Sequence, residues 1–303
     1  MKKVVVTGGF GFIGFHLCER LLLNGVEVIA IDQMNEAEKE KQEEMELRLG
    51  RNALLTIIKE KAENADLEKL LTGIDALYHL AADTSADHTW PPLAESIENN
   101  VNLTRTLVQA CPPEARFIYA STVDVYGERP GVITERTPAN PTSPYGITKL
   151  TGENVIRKYA EQRGLPYVIL RLPTVYGPWQ RADMTYYQLL SGKEEVESDR
   201  STLDVLYVDD VVDAFMLAGK TKHVNEVYQL SSGKANQWVR GVEHVAPDHP
   251  LTVSPRFETS LSAEKSKDML GFEAKVSLQE GLAKQREHMT QWLKQQQLQK
   301  GRE

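Results

Sequence analysis

The sequence predicts an α/β fold: an open, doubly wound parallel sheet with a smaller C-terminal lobe. Three observations carry this. Short, almost continuously apolar runs alternate with longer helical patterns, glycines stand at 8, 11 and 14 between the first run and the first helix, and the alternation loosens after Gly177-Pro178. Strands covered by helices on both faces lose the in–out polarity pattern, so continuous apolar runs are what such a sheet requires. Strand–helix–strand repetition then implies parallel strands joined by right-handed crossovers.

Taken in order, strands are expected at 4–7, 26–31, 54–58, 76–79, 117–121 and 167–172. Helices are expected at 12–24, 67–72, 93–110 and 145–163. Beyond Pro178 the pattern gives a helix near 184–190, a strand at 205–208, a helix at 211–218 and a strand at 226–230. The acidic run from Glu36 to Glu46 reads as a solvated helix or loop. The Gln- and Lys-rich stretch from Gln285 reads as a helix fraying into a tail. The expected division is a dinucleotide-binding domain over 1–175 and a substrate-binding lobe over 176–285, which returns in part to the main sheet. Residues 286–303 form the C-terminal helix and tail.

Composition narrows the function classes. A net charge of −8 argues against a diffuse nucleic-acid footprint, while leaving room for a local cationic pocket. The two cysteines, Cys18 and Cys111, have no metal-ligand spacing and fit reduced, buried thiols. The seven histidines show no metal spacing either, so no metal is expected. The N-terminus runs straight into the glycine motif without a signal peptide, and no apolar run reaches membrane-spanning length. A cytoplasmic protein is the expectation, with neither nucleic acid nor membrane as partner.

The glycine segment has the spacing of a dinucleotide site of the Rossmann type. Gly8 permits a tight turn, Gly11 lets the backbone approach a pyrophosphate, and Gly14 lets the helix pack close to the sheet. Phe12 and Ile13 open the helix whose free N–H groups and dipole meet the phosphates. Asp32 closes the second strand eighteen residues after Gly14. A carboxylate there accepts hydrogen bonds from a ribose 2′-OH and repels a 2′-phosphate, which favours NAD over NADP.

The chemical end lies further along. Tyr145 and Lys149 stand four apart at the start of a helix, so phenol and ammonium share one face. A tyrosine with an ordinary pKa of about 10 needs such a neighbour to act as a base near neutrality. About two dozen residues upstream, a strand ends in Ser121-Thr122-Val123-Asp124, where open α/β sheets place ligand contacts. Thr122 is positioned to bond a sugar hydroxyl beside the phenol. His79 reads as a packed structural residue. Trp90 and Trp179 read equally well as base- or sugar-stacking groups and as covers for a core edge.

These blocks together resemble the extended short-chain dehydrogenase/reductases, in the NAD-dependent epimerase/dehydratase family. The matching segments are Thr7 to Gly14, His79-Leu80-Ala81-Ala82, Asn100, Ala120 to Gly127, Ser143 to Lys149, Gly152-Glu153, Arg171 to Pro178 and Tyr207-Val208-Asp209-Asp210. They keep the family's order across most of residues 1–285. The resemblance implies that Thr122, Tyr145 and Lys149 are the catalytic triad, and that Leu80, Ala81, Ala82 and Asn100 lie at the cofactor together with Tyr145 and Lys149. It places Thr174 and the residues after it at the nucleotide diphosphate, and it implies a homodimer through the helices at 93–110 and 145–163.

Members share an opening oxidation at C4 of a nucleotide-linked sugar and differ in their later steps. A 4,6-dehydratase needs an acid/base carboxylate pair directly after the threonine. Here Val123 fills one of those places and cannot carry a proton, so Asp124 is either half of a pair or a structural acid. The segment Thr174 to Met184 resembles 4-epimerases of UDP-glucuronate and UDP-glucose, so 4-epimerisation of a UDP-hexose is the expectation. The alternatives are a 4,6-dehydratase, a UDP-glucuronate decarboxylase, a keto-sugar reductase and a non-catalytic NAD-binding regulator. Three departures bear on the substrate. Ala86-Asp87 replaces a Val-Arg pair, which favours a neutral hexose or N-acetylhexosamine. Leu203 replaces a diphosphate-clamping arginine, a role left to Arg181 or Arg200, and Glu60 stands near the expected adenine-contacting Asp.

Overall fold

A computed structural model describes residues 1–84, 93–193, 204–248 and 259–300. Its centre is a seven-stranded sheet. The strands are β1 (Lys3–Thr7), β2 (Glu27–Ile31), β3 (Leu55–Ile58), β4 (Ala76–His79), β5 (Arg116–Thr122), β7 (Tyr167–Leu172) and β10 (Glu226–Gln229). The order is β10-β7-β5-β4-β1-β2-β3, every neighbouring pair parallel. The chain runs outward from β1 in one direction through β2 and β3, then returns to continue on the other side from β4. Between β1 and β4 the winding reverses, and a crevice opens at the carboxyl ends of the strands.

The apolar runs are buried from both sides. Val4 and Val6 face a layer containing α1 (Phe12–Leu23) and α8 (Val208–Lys220), with Leu17, Leu21, Val211 and Phe215 in the same cluster. Val5, Leu77, Phe117 and Ile169 face the opposite layer, with Leu107 and Val108 of α5 (Leu103–Ala110) and Ile156 of α6 (Pro144–Arg163). Successive strand residues thus feed opposite cores, as a period of two demands.

Helix ends follow local chemistry. α6 starts at Ser143, whose Oγ accepts from the Gly146 N–H at 3.0 Å, with Pro144 in the first turn, and ends at Gly164 in the left-handed conformation. The helix expected at 93–110 is not uniform. It runs as α4 (Leu93–Ser96), a wide π-helical turn over Ile97–Asn102, then α5. Asn100 sits in the wide turn with its side chain buried, a common place for a functional group. The acidic run forms a short 3-10 turn followed by α2 (Lys39–Leu49), with α3 (Leu67–Leu70) the short helix before β4.

Outside the main sheet the described residues form two small sheets and further helices. Parallel two-stranded sheets pair β8 (Thr174–Tyr176) with β9 (Val205–Tyr207), and β6 (Gly131–Ile133) with β11 (Thr259–Leu261). The remaining α-helices among the described residues are α7 (Thr185–Leu190), α9 (Gln237–Val245) and α10 (Leu278–Lys300). Asp204 binds the segment after β10 to β9, accepting from Ser231 Oγ at 2.7 Å, the Ser232 N–H at 2.8 Å and the Val205 N–H at 2.9 Å.

Asp210 on α8 fastens the segment that leads into α10. Its carboxylate is buried and accepts the N–H groups of Lys275 at 3.0 Å and Val276 at 3.1 Å. Removing it strands two donors. Asp210→Ala should therefore lose about 2–3 kcal/mol in urea unfolding; a loss under about 0.5 kcal/mol would contradict this role.

Candidate active site at the carboxyl ends of the strands

The turn after β1 is shaped by what a side chain would strike. Gly8 has φ +72°, donates its N–H to Ile31 O at 2.8 Å, and a Cβ there would lie 2.8 Å from the Ala81 nitrogen. A Cβ on Gly14 would overlap the Gly8 carbonyl oxygen. Gly11 donates to that same oxygen at 3.1 Å and starts α1 with no side-chain cap. The first-turn N–H groups are thus left to an incoming anion, with Phe12 and Ile13 half-buried beside them.

Asp32 closes β2 against this turn. Its carboxylate accepts the Phe10 N–H at 2.9 Å and the Met34 N–H at 3.0 Å. Burial pushes its pKa up, and the backbone donors of Phe10, Met34 and Gly11 oppose the rise. Each oxygen keeps a lone pair for a hydroxyl, as a ribose would require. Turn, uncapped helix and carboxylate together fit a dinucleotide.

Across the crevice, Leu80, Ala81 and Ala82 form a half-buried strip after β4. A buried polar chain holds it. Thr104 Oγ1 donates to Asn100 O at 2.6 Å, so it accepts from His79 Nε2, 2.9 Å away. That leaves His79 Nδ1 unprotonated, accepting from Thr7 Oγ1 at 2.9 Å, while Thr7 Oγ1 also takes the Ala81 N–H at 3.4 Å. Burial, with the nearby Lys149 charge, pushes the His79 pKa well down, in keeping with a neutral ring. Asn100 is buried behind the strip. Its amide brackets the N–H and C=O of Asp83 at 2.7 and 3.1 Å and donates to Thr148 Oγ1 at 3.2 Å.

The sequence-predicted triad converges at the end of β5. Thr122 is buried, its Oγ1 accepting the Asp124 N–H at 3.1 Å in the next turn. Tyr145 is half-buried in the first turn of α6. Lys149, one turn on, is 2% exposed and donates from Nζ to Ala120 O at 2.8 Å. Its ammonium lies 5.6 Å from the centre of the Tyr145 ring and 4.8 Å from that of Tyr119. Burial pushes the Lys149 pKa down to about 7, and the Glu153 carboxylate opposes the fall.

Of the residues expected to meet the substrate, Thr174 is buried in β8. Arg181 donates to Thr84 O at 2.7 Å and to Thr84 Oγ1, and forms a two-pronged pair with Asp183 whose Nε–Oδ1 arm is 2.9 Å. Burial works against its charge, yet Asp183 raises the pKa on balance, and the Tyr145 phenol contributes in the same direction. Trp179 is core, not a stacking platform: it is 4% exposed, packed at 5.2 Å ring-to-ring on Trp292 and at 6.1 Å on Phe15, with the Arg48 guanidinium 5.1 Å from its ring. Glu60 is exposed in the turn after β3. Arg200, Leu203, Trp90, Ala86 and Asp87 lie outside the described residues.

Sequence reasoning gave no role to Thr7, Thr104, Thr148, Ser121 or Arg171. Each is a buried polar residue that binds another backbone or side chain, a function that residue type alone does not signal.

Residues 4–231 match the model of the NAD dependent epimerase/dehydratase family. The chain belongs to that family. A Bacillus subtilis protein described as an uncharacterized UDP-glucose epimerase is 33% identical over 309 residues, spanning 92% of this chain and 95% of its own. The UDP-glucose 4-epimerase of Mycolicibacterium smegmatis is 30% identical over 308 residues, 93% of this chain and 96% of its own. Among solved structures, the UDP-glucuronic acid 4-epimerase of Bacillus cereus in complex with UDP-glucuronic acid and NAD is similar at a TM-score of 0.84 and 31% identity. It covers 96% of this chain and 99% of the other.

The glycine turn gives a direct test. Gly8→Ala combines a strained backbone with a close approach to Ala81, so calorimetric affinity for NAD should fall at least roughly tenfold with little change in far-UV circular dichroism. Unchanged affinity would contradict the steric account.

Proposed function

We propose that the protein is an NAD-dependent 4-epimerase of a nucleotide-linked hexose, with a UDP-hexose as substrate. The observation that supports this is that Thr122, Tyr145 and Lys149 lie at the carboxyl end of β5, at the same end of the parallel sheet as the glycine turn after β1. Gly8, Gly11, Phe12, Ile13, Gly14 and Asp32 would hold one part of NAD, and Leu80, Ala81 and Ala82 the other, with Asn100 bracing that strip from behind. Bound NAD supplies the chemistry that removes and returns the hydrogen and two electrons at C4.

The chain's own groups do the rest. Tyr145 takes the proton from the sugar O4 and later returns it. Lys149, as an ammonium, stabilises the phenolate form of Tyr145 and contributes no proton of its own. Thr122 Oγ1 orients O4 by a hydrogen bond. Between the two half-reactions the 4-keto sugar turns over within the cleft, so its other face receives the hydrogen. Val123 in place of a carboxylate leaves no acid/base pair for water elimination, which sets 4-epimerisation above 4,6-dehydration. Asp124 is the remaining acid, two residues from Thr122.

Thr174 and Arg181 are the proposed contacts for the sugar and diphosphate, with Arg200 as a further candidate for the diphosphate. Arg181 beside Tyr145 also favours a second reading, a UDP-uronate whose carboxylate would meet this cation. The Asp183 carboxylate already compensates that charge, and the neutral hexose is therefore preferred.

The same proposal includes a cytoplasmic homodimer. α5 and α6 lie side by side on one face of the sheet, and Ile97 at the start of the π-helical turn is exposed. No described helix is long and apolar enough to cross a membrane. The division into a dinucleotide-binding part over 1–175 and a lobe over 176–285 belongs to this reading also, with β10 as the lobe's return to the main sheet.

Incubation with UDP-glucose, UDP-N-acetylglucosamine and UDP-glucuronate, followed by proton NMR, should give a product of unchanged mass inverted at C4. Loss of water or carbon dioxide would replace the epimerase by a dehydratase or decarboxylase. Tyr145→Phe should keep NAD affinity and lose roughly 10²–10⁴-fold in kcat. Asp124→Asn should cost less than about tenfold, since epimerisation asks no proton transfer of it. A loss matching that of Tyr145→Phe would contradict this.

A further inference from the structure

α6 carries a second buried charge one turn beyond Lys149. Glu153 is fully buried and collects donors from two strands and its own helix. Its Oε1 accepts from Ser121 Oγ at 2.6 Å and Arg171 Nε at 2.8 Å, and its Oε2 from Arg171 Nη2 at 2.6 Å and Arg157 Nη2 at 3.3 Å. Ser121 lies between Ala120, which receives the Lys149 ammonium, and Thr122. One carboxylate therefore fastens the reacting end of β5, the adjoining β7 and the triad's helix to one another.

The charges around it are unequal. Lys149 and Arg171 are buried cations and Arg157 is a partly exposed one, and the Glu153 carboxylate faces all three. The other titratable groups facing Lys149 are Tyr145 on α6, Tyr119 on β5 and the neutral His79 on β4. Those facing Glu153 include Tyr119, Tyr126 in the turn after β5, and Tyr167 on β7. Burial keeps Tyr119, Tyr126, Tyr167 and His79 neutral, so apart from the phenolate that Tyr145 forms in the reaction, Glu153 supplies the negative charge that faces Lys149.

The geometry points to Glu153 as a positioning residue for the proposed 4-epimerisation: it holds Ser121 and Arg171 against α6, and its charge keeps Lys149 an ammonium. This inference rests on the epimerase reading for its catalytic consequence, though not for its electrostatics. With burial already pushing Lys149 down to about 7, loss of the carboxylate lowers it further. The lysine then loses its proton below neutrality, and with it the hold on the Tyr145 phenolate. Stabilisation of the ammonium is present at low pH and lost as pH rises through the lysine's pKa, so catalysis falls on the alkaline side.

The test is a pH titration of the NAD-loaded protein labelled with 13Cε-lysine, the Lys149 signal assigned by its absence in Lys149→Ala, alongside the pH profile of kcat. Glu153→Gln should move the Lys149 midpoint down by about one unit or more, and the alkaline limb of kcat with it. Glu153→Asp should leave both near the wild type. Arg171→Gln, which frees the carboxylate from its strongest partner, should move the midpoint upward. It carries the test if Glu153→Gln does not fold because Arg171 is left unpaired. An unmoved midpoint, even with lower activity, overturns the inference and leaves Glu153 a packing group. If the midpoint moves as stated but the wild type converts no sugar, the epimerase reading fails and the role of Glu153 stands.

Discussion

The hydrogen bond from the Lys149 ammonium to the Ala120 carbonyl, 2.8 Å long, spans the gap between α6 and β5, and the arrangement of the site depends on it. For the ammonium to reach that oxygen the helix must lie close to the strand. Glycine makes this possible: a Cβ at Gly152 would sit 2.6 Å from the Tyr119 hydroxyl oxygen, and one at Gly146 would sit 2.8 Å from the Asp124 carbonyl oxygen. Taking an ammonium out of water is costly, and a charge-assisted bond to one carbonyl returns only part of it. The site resolves the deficit by adding a buried carboxylate on the same helix. Thr122 at the end of β5 and Tyr145 in the first turn of α6 are brought to the same end of the sheet by this contact between helix and strand.

The two ends of the crevice are mechanically joined. His79, fixed in one tautomer, connects Thr7 at the glycine turn to Thr104 on α5, and Thr104 continues to Asn100. Asn100 then reaches Thr148, whose hydroxyl donates to the Tyr145 carbonyl at 2.9 Å. A continuous set of buried hydrogen bonds thus runs from the glycine turn to the first turn of α6. Such networks favour one arrangement because each partly satisfied alternative leaves a buried polar atom unpaired. A reaction that needs a sugar, a phenol and a dinucleotide in fixed register benefits from this rigidity.

Much of the architecture was legible in the sequence, and the reasons are local. Val4–Val6 and Val168–Leu170 read as strands because burial on both faces leaves an apolar run. The glycine turn was legible because its steric demands fall on residue types, and Tyr145 with Lys149 because a helical spacing of four is unambiguous. The π-helical turn at Ile97–Asn102 was not legible, since the periodicity of 93–110 suits an ordinary helix and the departure centres on one asparagine's tertiary bonds. The three-residue strands β6, β8, β9 and β11 are too short to show a period; only β9 was anticipated. Trp179 read equally as a stacking group and a core residue, and only the packing of α10 against it decides. Glu153 and Arg171 matched family blocks without an assigned role, because their pairing joins a helix to a strand eighteen residues away.

The central claim is a reversible oxidation at C4 in which the removed hydrogen returns to the same carbon. The most direct measurement is turnover of UDP-glucose carrying deuterium at C4, with NMR and mass spectrometry of sugar and solvent. The account predicts deuterium fully retained at C4 of both epimers, with none in the water. Deuterium released to the medium, or found at C6, would contradict it.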